Sequence, residues 1–149
     1  MKWFDLPPIW LAVFCALAWV QATYLPMGLG FGGVWADFAG GLLVGAGLLL
    51  IALAAYEFRR HRTTIIPHLT PERLITSGIF SRSRNPIYLA DSLILAGLIL
   101  RWDAVLALPL VPILVWTLER RFILPEEARL KAKFVAEFDR YAQQTNRWL

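Results

Sequence analysis

Four stretches of the chain are almost free of charge, and polar segments of unequal length separate them. The first, residues 8–27, is about the length that crosses a ~30 Å hydrocarbon core as a helix. The second, 34–58, reads VWADFAGGLLVGAGLLLIALAAYEF, and its glycines Gly40, Gly41, Gly45 and Gly47 let neighbouring helix backbones come close. A polar connection, 59–86, follows, and loops of that length usually carry function. The third stretch, 87–100, is short for a full crossing. The fourth, 104–122, is most apolar up to Trp116 and holds Pro109 and Pro112, which should kink it. Only Arg101, Trp102 and Asp103 separate the last two, so they should form a tight antiparallel hairpin. In the tail, 123–149, Leu130, Phe134, Phe138 and Tyr141 recur at helical spacing opposite lysines and arginines, as in an amphipathic surface helix. The expected fold is all-α. It is one polytopic membrane domain over 1–149, with four transmembrane helices, a cytosolic loop at 59–86 and a cytosolic C-terminal amphipathic helix.

Charge sets the expected orientation. If both termini face the cytosol, Arg101 alone among the fifteen Lys and Arg residues lies outside, and the inverted arrangement reverses that ratio. The positive-inside rule therefore predicts a multi-pass integral membrane protein with both termini cytosolic, in the inner or plasma membrane if the cell is bacterial. The composition agrees: 58% hydrophobic and 17% charged residues, with a mean hydropathy of +0.53, lie beyond the usual soluble range. The sequence pI near 9.6 would suit nucleic acid, but the basic residues cluster beside apolar runs, which favours a membrane surface. The single cysteine, Cys15, excludes an intramolecular disulfide, dithiol redox chemistry and a cysteine-rich zinc site. Inside an apolar run it reads as a packing residue. No secretory signal peptide is read, because the first apolar run is too long, lacks an Ala-x-Ala-like exit and follows only Lys2.

Some motifs carry little chemistry. GLGFGG at 28–33 invites a dinucleotide-loop reading, but no strand is expected before it, and a flexible turn between spans accounts for it. His61 and His68 lie in a polar loop without a well-spaced third ligand, so no metal is expected. Arg59, Arg60, His61 and Arg62 read as a lipid-headgroup anchor.

The polar ends around the hairpin are different. The predicted bend brings Arg82, Arg84, Asn85 and Tyr88 near Glu119, Glu126 and Glu127, a set able to hold a small zwitterion. Ordinary helix chemistry explains part of the pattern: Asn85 and Pro86 suit a helix start, and Glu126 and Glu127 after Pro125 complement a helix dipole by ~0.3–1 kcal/mol. Asp91 is harder to explain away. It lies roughly 7 Å along the third apolar helix at 1.5 Å rise per residue. Intramembrane carboxylates generally face the protein interior and serve function. Pairing with Arg84 is the plainer alternative.

At these residues the chain resembles a family. SGIFSRSRNPIYLAD is similar to the Gly-x-[Phe/Tyr]-x-x-x-Arg-[His/Asn]-Pro-x-Tyr signature of integral-membrane methyltransferases, which include isoprenylcysteine carboxyl methyltransferases and phospholipid N-methyltransferases. A second signature, Glu-Glu-x-x-Leu followed by Phe and a tyrosine-containing tail, is matched by Glu126, Glu127, Leu130, Phe134 and Tyr141. The resemblance covers about 64–149. It implies S-adenosyl-L-methionine as cofactor, with Gly78, Arg84, Asn85, Pro86, Tyr88, Glu126, Glu127, Leu130 and Tyr141 in its binding motifs. Asn85 stands where many members have histidine, and Asp91 where many have a small residue.

Methyl transfer from a sulfonium needs alignment more than acid or base, and positioning can be worth ~7–11 kcal/mol. Arg84 or Arg120 would orient a carboxylate acceptor, whereas an amine acceptor must lose a proton to Asp91 or Glu119. Arg84, Asp91 and Glu119 are the catalytic candidates. The expected function is membrane-embedded methyl transfer to a lipid, lipidated or other amphiphilic acceptor, of the isoprenylcysteine carboxyl type, with phospholipid N-methylation as the alternative. A non-catalytic membrane subunit whose polar cluster docks a partner is the rival of another class. A transporter using Asp37 and Asp91 ranks below it, since no continuous polar file joins them.

Overall fold

The computed structural model describes residues 4–64 and 69–149. It contains α1 (Pro7–Tyr24), α2 (Val34–Arg60), α3 (Pro86–Arg101), α4 (Leu110–Leu118), α5 (Leu124–Lys133) and α6 (Val135–Gln144). Short 3-10 turns occupy Gly78–Ser81 and Val105–Ala107, and a π-helical turn occupies Glu119–Ile123. No strand occurs among the described residues.

Two helices, α1 and α2, are long and apolar enough to cross a membrane. Much of their apolar surface is turned outward: Leu17, Trp19, Phe38, Leu42, Leu48 and Leu49 are all exposed. Exposed apolar surface of that extent marks a membrane or partner contact. α3, at 16 residues, spans ~24 Å, short of a ~30 Å hydrocarbon core.

The helix boundaries depart from the sequence pattern where proline and aromatic residues decide them. α1 ends at Tyr24, short of residue 27, and the next helix begins after Gly33. The fourth apolar stretch is not helical from 104. A 3-10 turn comes first, and α4 starts after Pro109 with Pro112 in its first turn. The first backbone N–H groups of a helix have no intrahelical partner, so Pro112 removes no bond there and starts the helix rather than kinking it. The tail forms two amphipathic helices, not one. Phe134, at φ −117° and ψ 47°, leaves the helical region and separates α5 from α6.

α2 and α3 pack antiparallel through their smallest residues. Gly40 faces Gly97, and Gly47 faces the carbonyl of Ala90. A methyl group on Gly40 would lie 2.5 Å from the carbonyl oxygen of Gly97, so the two backbones touch without intervening side chains. α1, α3 and α4 enclose an apolar core of Phe14, Ala18, Tyr88, Leu95, Ile99, Leu114, Leu118 and Phe122. A second, smaller core joins Ala54 of α2, Ile75, Phe80, and Phe138 and Tyr141 of α6.

This packing gathers the polar residues at one end of the bundle, where α2 ends, α3 begins and the helical run 110–133 leaves the core. At the opposite end, the Asp103 carboxylate accepts a hydrogen bond from the Phe31 N–H at 3.1 Å, and Arg101 Nη1 donates to the Asp37 carbonyl at 3.2 Å. The glycine-rich loop 28–33 is therefore far from the polar residues at the start of α3, tied instead to the α3–α4 connection.

Candidate functional site

α3 begins as its sequence dictates. Pro86 is preset for the first helical turn, and the Leu89 N–H donates to the Asn85 carbonyl at 3.0 Å. The Asn85 side chain, however, does not cap this helix. Its Nδ2 donates to the carbonyl of Arg147 at 3.0 Å. Asn85 thus holds the C-terminal segment against the start of α3. The Arg84 N–H reinforces the contact by donating to the Asn146 carbonyl at 3.0 Å, and Ser83 Oγ reaches the Arg147 carbonyl at 3.5 Å.

The two polar signatures meet. Arg84 Nη2 donates to Glu127 Oε1 at 3.1 Å, and the Tyr88 hydroxyl donates to Glu126 Oε1 at 2.6 Å. Tyr88 stacks on Phe122 with ring centroids 6.1 Å apart. The connection depends on the π-helical turn. Pro125 has no N–H for the carbonyl four residues earlier, and its ring crowds that carbonyl, so the wide turn just before it relieves the conflict. Beyond the turn, Glu126 and Glu127 come round to face α3 and the tail.

Arg147 completes the cluster. Its guanidinium donates to Glu127 through Nε and Nη2 at 3.0 and 2.9 Å, and to Glu119 Oε1 through Nη1 at 3.0 Å. Trp148 Nε1 donates to the other oxygen of Glu119 at 3.3 Å. The hydrogen bond to Glu127 holds the Arg147 proton more firmly than usual. A planar fork that spans two carboxylates is a task for arginine, not lysine.

The remaining expected residues fall around this centre. The Tyr141 hydroxyl donates to the Phe80 carbonyl at 2.6 Å, and burial pushes its pKa above the ordinary value. Leu130 and Phe134 pack against the core that contains Phe138 and Tyr141. Gly78 sits at φ +59°, and a side chain there would overlap the Glu57 carboxylate. Asp91 is 3% exposed and lies one turn below Tyr88. It is not paired with Arg84, whose carboxylate partner is Glu127. Arg82 and Arg120 are exposed at the periphery. His61 Nδ1 lies 2.9 Å from the Glu57 carbonyl, and His68 falls outside the described residues. Cys15 packs against the first core.

Three contributors escaped the sequence reading. Arg147 and Trp148 sit in a short tail with no periodicity to mark them. Glu57 lies within the second apolar stretch and was given no role there, yet it is 4% exposed and accepts from Ser77 Oγ at 2.7 Å. A signal for it did exist: a carboxylate in the last turn of a helix opposes the dipole, so it needs a specific partner.

Comparison with known proteins gives one match. The family described as phospholipid methyltransferase matches residues 35–137, from the start of α2 into α6. No curated protein and no solved structure matches the chain. The matched segment contains the first signature, the second as far as Phe134, and the hydrogen bonds that join Tyr88 to Glu126 and Arg84 to Glu127. An all-helical membrane protein with those features, and with a match over well more than half its length, belongs to the phospholipid methyltransferase family.

Proposed function

We propose that the protein transfers a methyl group from S-adenosyl-L-methionine to the head group of a phospholipid-like amphiphile at the cytosolic membrane face. The apolar stretches would form four spans with both termini cytosolic, so that the polar end of the bundle faces the cytosol. The family description favours a phospholipid acceptor over the carboxyl group of a lipidated cysteine.

The residues present suit such a cofactor. Arg84 Nε is buried without a hydrogen-bond partner among the described residues, although Nη2 of the same side chain is engaged by Glu127. A spare guanidinium N–H fits a carboxylate, as on the methionine end of the cofactor. Glu119 and Glu127 offer anionic surface for its ammonium or hydroxyl groups, with Arg147 fixing both. Tyr88, Asn85 and the backbone after Gly78 would complete the wall. When bound, the cofactor supplies a methyl group on a sulfonium that is already activated for displacement.

The protein's own contribution is alignment and exclusion of water. Asn85, Ser83 and Arg84 fasten residues 146–147 over the start of α3, and Tyr141 fastens α6 to Phe80. These contacts fasten the C-terminal segment over the polar end, while apolar side chains of α1 and α2 face outward. Alignment of this kind is the main lever for a displacement that needs no nucleophile on the enzyme.

The contact between the two signatures carries the reading. Calorimetric titration of the detergent-solubilised protein with S-adenosyl-L-methionine tests it, together with transfer of labelled methyl groups to phosphatidylethanolamine vesicles. Heat on titration and label in the lipid fraction are expected. Absence of heat at millimolar cofactor would overturn the reading in favour of a non-catalytic membrane subunit.

A further inference from the structure

Among the described residues, the buried and half-buried carboxylates at the polar end have partners, with one exception. Glu126 accepts from Tyr88, Glu127 from Arg84 and Arg147, Glu119 from Arg147 and Trp148, and Glu57 from Ser77. Asp91 differs. It is 3% exposed, and its Oδ2 is buried without a hydrogen-bond partner among the described residues. The adjacent hydroxyl, Ser92 Oγ, is turned back to the Tyr88 carbonyl at 3.0 Å. One turn further along α3, Leu95 belongs to the apolar core against which Cys15 of α1 packs.

An ionised carboxylate in such a place is costly unless a cation meets it, and a leucine or alanine would pack there without that cost. No described residue pairs with the charge, and a cationic ligand would. The position also matters. Asp91 is one helical turn deeper than the Tyr88–Glu126 hydrogen bond, beneath the polar cluster and toward the apolar part of the bundle. A carboxylate head group would be repelled there, and an ammonium attracted.

Resting on the methyltransferase reading above, we propose that Asp91 binds the ammonium head group of the methyl acceptor and accepts its proton. In that transfer an N–H bond of the ammonium breaks, an O–H bond forms on Oδ2, and the electron pair stays on nitrogen, which becomes the nucleophile. Glu119, the other base considered from sequence, is already held by Arg147 and Trp148.

The test uses the full-length protein in detergent, with short-chain phosphatidylethanolamine and phosphatidylglycerol as probes and S-adenosylhomocysteine as cofactor reporter. Asp91→Asn should bind S-adenosylhomocysteine as the wild type does, and lose affinity for phosphatidylethanolamine by about tenfold or more. Undiminished phosphatidylethanolamine binding in this variant overturns the inference and leaves the methyltransferase reading standing. Failure of the wild type to bind S-adenosylhomocysteine overturns both. A second measurement needs no variant: dicyclohexylcarbodiimide should label Asp91 of the wild type, and phosphatidylethanolamine, unlike phosphatidylglycerol, should protect it. Equal protection by the two lipids, or by neither, overturns the inference even where Asp91→Asn does not fold.

Discussion

Arg147 and Glu127 are joined by two parallel hydrogen bonds of 3.0 and 2.9 Å, which tie the C-terminal segment to the first turn of α5. The Arg147 side chain is 32% exposed and Glu127 17%, so solvent screens the pair in part. Arg147→Ala should weaken S-adenosyl-L-methionine binding by about tenfold, in the range seen when a charge-assisted hydrogen bond worth ~1.5–3 kcal/mol is lost. Arg147→Lys should recover only a fraction, because an ammonium cannot span both glutamates. Isothermal titration of the two variants against the wild type checks this, and an unchanged dissociation constant in Arg147→Ala would remove Arg147 from the site.

Tyr88 and Glu126 should prove coupled. Tyr88→Phe leaves a half-buried carboxylate without its hydroxyl donor, at a cost of ~1–3 kcal/mol, whereas removing both partners should cost less than the sum of the single changes. A double-mutant cycle on thermal stability with Tyr88→Phe and Glu126→Ala measures the coupling. Strict additivity would mean that the 2.6 Å contact contributes nothing.

The close approach of α2 and α3 sets a third expectation. In Gly97→Ala the new methyl would lie 2.6 Å from the Gly40 carbonyl oxygen and 2.9 Å from the Val44 nitrogen. The helices must move apart, and overpacking of this kind costs ~1–3 kcal/mol. Gly45→Ala, whose methyl meets nothing within 4 Å, is the control and should leave the melting temperature nearly unchanged.

Gly78 and Glu57 form a matched pair of another sort. Gly78→Ala suffers twice, from its φ of +59° and from overlap with the Glu57 carboxylate. In a Glu57→Ala background only the backbone penalty of ~1 kcal/mol remains. The loss of stability caused by Gly78→Ala, read from denaturation midpoints, should therefore shrink in that background.

Alkaline pH should loosen the tail. Burial raises the Tyr141 pKa above its unfolded value near 10, so its contribution is fully present below pH 10. As pH climbs past that value the unfolded phenol loses its proton while the folded one keeps it, and stability falls until the folded pKa is reached. Tyr141→Phe should be less stable at neutral pH, because the Phe80 carbonyl loses its donor, and should lack this Tyr141-dependent alkaline decline. Melting curves from pH 8 to 11 test both parts.

Much of the site was legible in the sequence because local chemistry wrote it. Asn-Pro marked the start of α3, Pro-Glu-Glu marked α5, and helical spacing put Leu130, Phe134, Phe138 and Tyr141 on one face. The rest depended on contacts that no local pattern encodes. Asn85 looks like a helix cap, yet tertiary packing turns its amide to the Arg147 carbonyl. Pro109 and Pro112 read as kinks because the apolar stretch begins earlier than the helix does. The break at Phe134 was hidden by an unbroken amphipathic pattern, since its ring remains in the core while its backbone leaves the helix.

The π-helical turn has one more consequence. It lies within an otherwise continuous helical run from Leu110 to Lys133, and its extra residue sets the phase between the buried half and the half that bears Glu126 and Glu127. Were the same residues wound as an ordinary α-helix with none removed, everything downstream would swing by ~100° about the axis. Both glutamates would then point away from Tyr88 and Arg84, although no side chain of the cluster had been altered. The site is thus tuned by rotation as much as by residue identity.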